Sequence, residues 1–331
     1  MKKIIIFIVI LCACGCSNSE YIGEVNVLNW TSYIPQEVID NFEREYNIKV
    51  NYGTYSSNEE LLAKISSSKD GTYDLIFPSD YMVELMIKKD MLMPIDKSKI
   101  SNYYNINHLF LNQKFDRYNN YSLPFLAATT VIAVNRDNIH NKIDNYNDLL
   151  SDEYKNDIIL LDDQRIVIGM SLQANGYSMN EVDSNKLNKG KEWLLKLNKN
   201  VKAFDSDSPK TFLITNETNI GIMWNAEAII AKEFNPNIEI IYPKDGFAIS
   251  LDNYTIVKGA KNVENSYKFI NYLLRNDVNK KITEEYPYIN TTYANMNLDY
   301  EELEMILNKA SFVENIGYSI SNYDKIWAEI K

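Results

Sequence analysis

The chain has 331 residues, a formal net charge of −11 and three cysteines. This length is sufficient for two domains, each with an apolar core of its own. The acidic balance argues against nucleic-acid binding, because phosphates select basic surfaces, and it suits a cationic ligand. All three cysteines lie within the first sixteen residues. The rest of the chain therefore has no disulfide, no thiolate metal site and no cysteine nucleophile.

The amino-terminal segment has the order of a bacterial export signal. Two lysines precede an apolar run over residues 4–11, and small residues and cysteines follow. This run is far shorter than the roughly 20 residues that a membrane-spanning helix needs. We interpret residues 1–15 as a lipoprotein signal peptide and residues 16–23 as a tether, with either Cys16 or Cys14 acylated in a segment that resembles a lipobox. The predicted protein is exported and lipid-anchored to the outer face of the cytoplasmic membrane, in the periplasm if the host has two membranes.

Short apolar strands alternate with amphipathic helices in the next part of the chain. In the segment 35–46, Val38, Ile39 and Phe42 recur at the spacing of one helical face. Ser57 begins a second helix with a capping-box pattern. The predicted strands cover residues 24–30, 48–52 and 74–77, and the helices begin at residues 35, 57 and 79. This order favours a mostly parallel sheet.

A similar alternation follows with different residues. The predicted strands cover residues 157–161, 201–204 and 220–224, and the predicted helices cover residues 164–174, 184–197, 225–234 and 263–274. The fold class is therefore α/β, with two lobes that each contain a mostly parallel sheet flanked by helices. No flexible linker separates them, so we expect strands at 131–135 and 254–257 to cross between the lobes. We assign residues 24–130 and 255–300 to lobe 1, and residues 131–254 and 301–331 to lobe 2.

Four segments carry specific residue patterns. They are residues 28–35 (LNWTSYIP), 70–81 (DGTYDLIFPSDY), 95–99 (IDKSK) and 223–225 (MWN). Together they resemble the spermidine/putrescine-binding proteins of bacterial ABC polyamine importers. The resemblance implies a periplasmic-binding-protein fold of the second type, which closes on an extended polyamine by hinge bending. It also implies a monomeric binding protein without a cofactor or enzymatic activity, with the permease and ATPase subunits of an importer as its partners.

A polyamine carries two or more ammonium groups on an alkyl chain. Its site therefore needs carboxylates at the spacing of the amines and aromatic faces around the methylenes. The resemblance implies that the rings form walls and that Ser79 and Tyr81 are uncharged oxygen acceptors. The alternatives are core packing for the rings and a helix N-cap for Ser79. The implied uncharged contacts are Trp30, Tyr33, Ser79, Tyr81, Trp224 and Tyr288.

The resemblance assigns the ammonium-binding carboxylates to Asp163 and Asp252, although Asp163 also fits a helix N-cap. Spermidine-binding relatives carry a Glu where this chain has Ile166. Glu227 lies where relatives that prefer putrescine carry an acid. It either replaces the charge lost at Ile166 or is a solvated residue at the start of a helix. The absence of an acid at Ile166 and the presence of one at Glu227 slightly favour putrescine. They do not decide between putrescine and spermidine.

Two further positions depart from the family pattern. Ser250 stands where relatives often have Trp, which removes one side of an aromatic box, and Phe247 is a candidate replacement. Near the carboxyl terminus, a family Gln falls on either Val313 or Glu314. These departures leave the identity of the ligand open.

Other functions are retained as alternatives. The first alternative is a binding protein of the same fold whose ligand is another cationic small molecule, an amino acid derivative or a small peptide. A second role as an adhesin or sensor also stays open. A same-fold lyase needs a cysteine nucleophile, which the mature chain lacks. His108 and His140 have no metal-ligand spacing, so no metal site is predicted. An ordinary cleaved signal with incidental cysteines is the alternative to a lipid anchor.

Overall fold

The computed structural model describes residues 21–293 and 298–331. The predicted signal peptide and the candidate lipidation sites, Cys14 and Cys16, lie outside these residues. In the described part of the chain, no helix has both the length and the apolar character to cross a membrane.

Strands and helices alternate through most of the described chain. The strands are β1 (Gly23–Trp30), β2 (Ile48–Tyr55), β3 (Leu75–Ile76), β4 (Leu92–Met93), β5 (Leu123–Asn135), β6 (Ile158–Leu160), β7 (Val201–Phe204), β8 (Ile220–Trp224), β9 (Ile238–Ile241), β10 (Phe247–Val257), β11 (Ile289–Asn290) and β12 (Ala310–Phe312). The helices are α1 (Gln36–Tyr46), α2 (Asn58–Ser67), α3 (Asp80–Lys88), α4 (Gln164–Ala174), α5 (Ser184–Leu197), α6 (Lys210–Ile214), α7 (Asn225–Phe234), α8 (Val263–Leu273), α9 (Asn276–Glu285), α10 (Tyr300–Lys309) and α11 (Ile320–Ile330).

The first lobe is built on β1, which pairs in parallel with β2 on one side and with β3 on the other. Its last residue, Trp30, lies opposite Tyr55 of β2. Helices α1 and α8 pack against these strands. Phe42 of α1 is fully buried against Phe269 and Tyr272 of α8. Burying such a side chain contributes about 1.5–3 kcal/mol, so this contact orients both helices on the sheet.

The second lobe is built on β6, which pairs in parallel with β7 and β8. Its apolar core contains Leu160 of β6, Val167 of α4 and Leu194 of α5. Helix α11 packs against α4 and α5, so the carboxyl-terminal helix completes this lobe.

Two long antiparallel strands, β5 and β10, join the lobes. The carboxyl half of β5 pairs with β8 and β9, whereas the carboxyl half of β10 pairs with β3 and β4. Their register shifts at one point, where Asp252 lies opposite Leu126 but Asn253 lies opposite Pro124. The extra residue is Phe125, and the missing N–H of Pro124 suits such a bulge. Bulges redirect side chains, and this one lies at a predicted site residue.

The prediction of two α/β lobes joined by crossing strands is confirmed. Helices α4, α5 and α7 and strands β7 and β8 have the predicted bounds. The predicted crossing segments 131–135 and 254–257 are only the carboxyl-terminal parts of the longer strands β5 and β10. Pro35, predicted as the start of α1, is its N-cap residue, outside the helix.

Candidate functional site

A cavity with a volume of about 1030 Å³ is lined by residues of both lobes. Trp30 lies at the end of β1, Ser79 follows β3 and Asp163 follows β6. Open α/β sheets place ligands at the carboxyl ends of their parallel strands, because side chains that follow these strands converge there. The volume is in the range of sites for small molecules.

The lining of this cavity includes every side chain that the sequence analysis assigned to ligand contact. The set is Trp30, Tyr33, Ser79, Tyr81, Asp163, Trp224, Glu227, Asp252 and Tyr288. The fold therefore brings together residues that lie far apart in the sequence. Their contact with a ligand stays a prediction.

Asp252 is the most deeply enclosed of the assigned acids. It lies on β10 opposite the bulge of β5, and the residue is only 3% exposed. Its Oδ1 accepts a hydrogen bond of 2.7 Å from the Ser79 hydroxyl, and its Oδ2 accepts one of 2.8 Å from the Tyr33 hydroxyl. Ser79 makes no side-chain bond to cap α3. Its hydroxyl is thus a donor to Asp252 in this structure, where the sequence analysis expected an acceptor.

The environment of Asp252 makes its negative charge costly. Burial raises the pKa of Asp252 to about 6, although the hydrogen bonds from Ser79 and Tyr33 oppose this shift. The carboxylate is thus ionised at neutral pH without the hydration that would stabilise it. Burial and the nearby charge of Asp252 raise the pKa of Tyr33 well above its ordinary value, so its hydroxyl stays protonated and remains a donor. A cation placed beside Asp252 would offset the cost of its charge.

Four aromatic rings of the first lobe line the cavity, namely those of Trp30, Tyr33, Tyr55 and Tyr288. The ring centroid of Tyr33 lies 4.6 Å from that of Tyr288, and the ring centroid of Trp30 lies 4.6 Å from that of Tyr55. Trp30 Nε1 donates a hydrogen bond of 3.0 Å to the carbonyl oxygen of Phe77. These rings take part in core packing and also line the cavity, so the two interpretations are compatible.

Tyr81 and Trp224 lie on different lobes and pack against one apolar cluster. This cluster contains Ile166, which is 3% exposed and also lines the cavity. The cavity therefore has an apolar surface where relatives carry a second acid. The Tyr81 hydroxyl donates a hydrogen bond of 3.1 Å to Glu59, another lining residue.

Asp163 combines a structural role with a position in the cavity. It is the N-cap of α4, and its Oδ1 accepts hydrogen bonds from the backbone N–H groups of Arg165 at 2.8 Å and Ile166 at 3.1 Å. Oδ2 accepts no hydrogen bond from the described residues. Burial raises the pKa of this carboxyl, against the effect of the two backbone hydrogen bonds. The capping and binding interpretations of Asp163 therefore use different oxygens and do not conflict.

Glu227 is neither a free acid nor a solvated residue. Both of its oxygens accept hydrogen bonds from the Lys210 ammonium, at 2.9 Å and 2.7 Å. Its side chain is 13% exposed, and Lys210 also lines the cavity. The charge of Glu227 is thus paired with Lys210 in this structure, and its replacement of the charge lost at Ile166 stays a prediction.

The structure shows which of the positions that depart from the family pattern line the cavity. Ser250 lines the cavity, but Phe247 does not, because it is fully buried and packs against Tyr242. Phe247 is therefore wrong as a replacement for the missing aromatic ring. Val313 lines the cavity, whereas Glu314 forms an ion pair with Lys114. The family Gln position that faces the cavity is Val313.

Sequence reasoning missed Asp80, which also lines the cavity and is 1% exposed. Its oxygens accept hydrogen bonds from the backbone N–H groups of Tyr81 at 2.7 Å and Leu251 at 3.2 Å, which ties α3 to β10. Burial raises its pKa to about 8, so it is mainly neutral at pH 7. Asp80 follows Ser79 directly in a segment that carries the resemblance, but only the structure shows its burial. Lys210 had no signal in the sequence.

Residues 37–299 match the family profile of the bacterial extracellular solute-binding proteins. The chain belongs to this family. It is 38% identical to the spermidine/putrescine-binding periplasmic protein of Salmonella typhimurium over 92% of this chain and 90% of that protein. Solved structures of solute-binding proteins also superpose on this chain, and they confirm the predicted periplasmic-binding-protein fold of the second type.

Two solved structures illustrate this match. The spermidine/putrescine ABC transporter substrate-binding protein of Streptococcus pneumoniae superposes with a TM-score of 0.81 and 31% identity, over 93% of this chain and 98% of that chain. A lipoprotein of Treponema pallidum superposes with a TM-score of 0.84 and 26% identity, over 93% of this chain and 99% of that chain. The chain is thus similar to exported solute-binding proteins along nearly all of its length.

Proposed function

We propose that this chain is the substrate-binding lipoprotein of an ABC importer and that it captures a polyamine, putrescine or spermidine, in the cleft between its lobes. The observation that carries the proposal is the buried Asp252 carboxylate, which Tyr33 and Ser79 hold in a cavity with aromatic walls. The Salmonella typhimurium relative is a spermidine/putrescine-binding protein, which supports this choice of ligand.

The arrangement of Asp252 suits an ammonium group. Each of its oxygens is already oriented by one hydroxyl, so the carboxylate loses little freedom when a ligand binds. A charge-assisted hydrogen bond contributes about 1.5–3 kcal/mol, and an ammonium over an aromatic face contributes about 0.5–2 kcal/mol. Micromolar affinity corresponds to about −8 kcal/mol. A few such contacts at Asp252, Asp163 and the rings of Trp30 and Trp224 therefore suffice.

The proposed capture follows from the division of these contacts between lobes. We assign residues 24–130 and 255–300 to lobe 1 and residues 131–254 and 301–331 to lobe 2. Trp30, Tyr33 and Tyr288 bind from the first, and Asp163 and Trp224 bind from the second. A ligand that bridges both sets favours the closed arrangement. The closed, loaded monomer then docks on the permease, which the ATPase subunit drives.

A lipid anchor keeps this protein beside its permease. We propose that export removes residues 1–15 and that Cys16 is acylated, or Cys14 if the signal is cleaved earlier. The anchor raises the effective concentration of the binding protein at the membrane, and a multiply acylated cysteine binds firmly where a single chain does not. The Treponema pallidum relative, itself a lipoprotein, supports this assignment. We propose transport alone, without catalysis, because the matched family consists of solute-binding proteins.

Calorimetric titration of the mature protein with putrescine, cadaverine, spermidine and spermine tests the proposal. We expect micromolar or tighter binding of at least one of them, together with thermal stabilisation that grows with ligand concentration. Lysine and arginine serve as cationic amino acid comparisons. No heat and no stabilisation with millimolar polyamine would overturn the proposal, and tighter binding of an amino acid would replace polyamine with that ligand class.

A further inference from the structure

Two residues of the cavity lining, Lys210 and Glu227, form an ion pair with each other. Lys210 Nζ lies 2.9 Å from Oε1 and 2.7 Å from Oε2 of Glu227, and the two side chains are 24% and 13% exposed. Lys210 begins α6 and Glu227 lies in the first turn of α7. Because Lys210 contacts both oxygens, Glu227 already holds a cation of the kind that a polyamine would bring.

Four acids in the cavity lining are not exposed to solvent, namely Asp80, Asp163, Glu227 and Asp252. Burial raises the pKa of Asp80 to about 8, so this acid is mainly neutral at pH 7. Asp252 accepts hydrogen bonds from the hydroxyls of Ser79 and Tyr33 and no ammonium group of the described residues contacts it. Three enclosed acids therefore remain as candidates for binding an ammonium group.

The other acids in the lining are exposed to solvent, where water and salt screen their attraction for an ammonium group. They are Glu59, Asp162, Asp207 and Asp324.

We propose that Lys210 determines which polyamine the site prefers, because its ammonium occupies Glu227 and leaves Asp163 and Asp252 for the ligand. This inference rests on the proposed function. A diamine has two ammonium groups and is satisfied by two carboxylates. Among the enclosed acids, the third ammonium of a triamine has only Glu227 left, where it must either displace Lys210 or lie beside its positive charge, which opposes binding. Lys210 therefore selects for the diamine.

Titration calorimetry with putrescine and spermidine on matched variants tests this inference. Lys210→Met removes the ammonium and keeps the length of the side chain, and Lys210→Gln is a second neutral variant in case the first is unstable. The double variant Lys210→Met/Glu227→Gln also removes the freed acid. Lys186→Met is the control, because Lys186 forms an ion pair of 2.8 Å with Glu181, whose side chain is 15% exposed, away from the cavity. Thermal unfolding of each variant checks that it is folded.

We expect Lys210→Met to shift the ratio of the two dissociation constants about tenfold towards spermidine, which corresponds to about 1.4 kcal/mol. The double variant returns the ratio to the wild-type value, and Lys186→Met leaves it unchanged. An unchanged ratio in both neutral Lys210 variants overturns the inference, as does a shift that persists in the double variant. If the wild-type protein binds neither polyamine, the proposed function itself fails, and this result is distinct from an unchanged ratio.

Discussion

Replacing Asp252 with Asn should weaken polyamine binding strongly while leaving the unliganded protein folded. Asn has the same shape, and it can accept a hydrogen bond from either Tyr33 or Ser79, the present partners of the carboxylate. The substitution removes the counter-charge of a buried ammonium. Breaking a buried ion pair by removing one partner costs about 3–5 kcal/mol. The dissociation constant should therefore rise by about two to three and a half orders of magnitude.

The same substitution should stabilise the unliganded protein at neutral pH. Burial raises the pKa of Asp252 from 3.8 to about 6. Because the folded state binds the proton more tightly, the contribution of this group to stability is present below about pH 4 and is lost as the pH rises through 6. A difference of roughly two pKa units corresponds to about 3 kcal/mol. Asn carries no charge at any pH. The unliganded variant should therefore exceed the wild-type protein in unfolding free energy at neutral pH by at most about 3 kcal/mol.

Calorimetry at pH 7.5 and denaturant unfolding at pH 4, 5, 6 and 7.5 measure both effects. The variant should lose affinity and show a flatter dependence of the unfolding free energy on pH between 4 and 6. Asp152→Asn is the control, because Asp152 forms an exposed ion pair with Lys199 outside the cavity lining. Unchanged affinity for every polyamine in the Asp252 variant would refute the assignment of its carboxylate as a cation site.

Two further predictions concern the acids of the cavity. The dissociation constant for putrescine should rise about tenfold between pH 7 and pH 5, because the ligand must displace the proton that Asp252 binds with a pKa of about 6; a constant affinity in calorimetry over this range contradicts the role of Asp252. Asp163→Ser should keep the α4 cap and lose polyamine affinity, whereas Asp163→Ala should lose affinity and also about 0.5–2 kcal/mol of unfolding free energy. Wild-type affinity in the Ser variant would restrict Asp163 to capping.

Local sequence patterns were sufficient for the regular elements whose signals are contiguous. Helix α4 has the predicted bounds because Asp163 supplies an N-cap immediately before a long apolar segment. The short helix α6 has only five residues, too few to produce a periodic pattern. The crossing strands were predicted too short because β5 is buried along its whole length, so its sequence shows no alternation that would mark its start.

The sequence by itself identified nine of the residues that line the cavity. The resemblance of short segments identified lining positions that lie far apart along the chain, including Trp30, Asp163 and Asp252. It also marked Ile166 and Ser250 as departures from the family pattern. These conclusions depended on matching residue identities to the family pattern.

Tertiary structure alone decided how these residues are charged and held. The hydrogen bond from Tyr33 to Asp252 joins residues that are 219 positions apart, and Asp252 lies where the register between β5 and β10 shifts. The pairing of Glu227 with Lys210 depends on the packing of α6 against α7. Burial and charge neutralisation depend on neighbours that folding brings together across the chain. The sequence therefore supplied the acids of the cavity, and the fold decided which of them carry a free charge for a ligand.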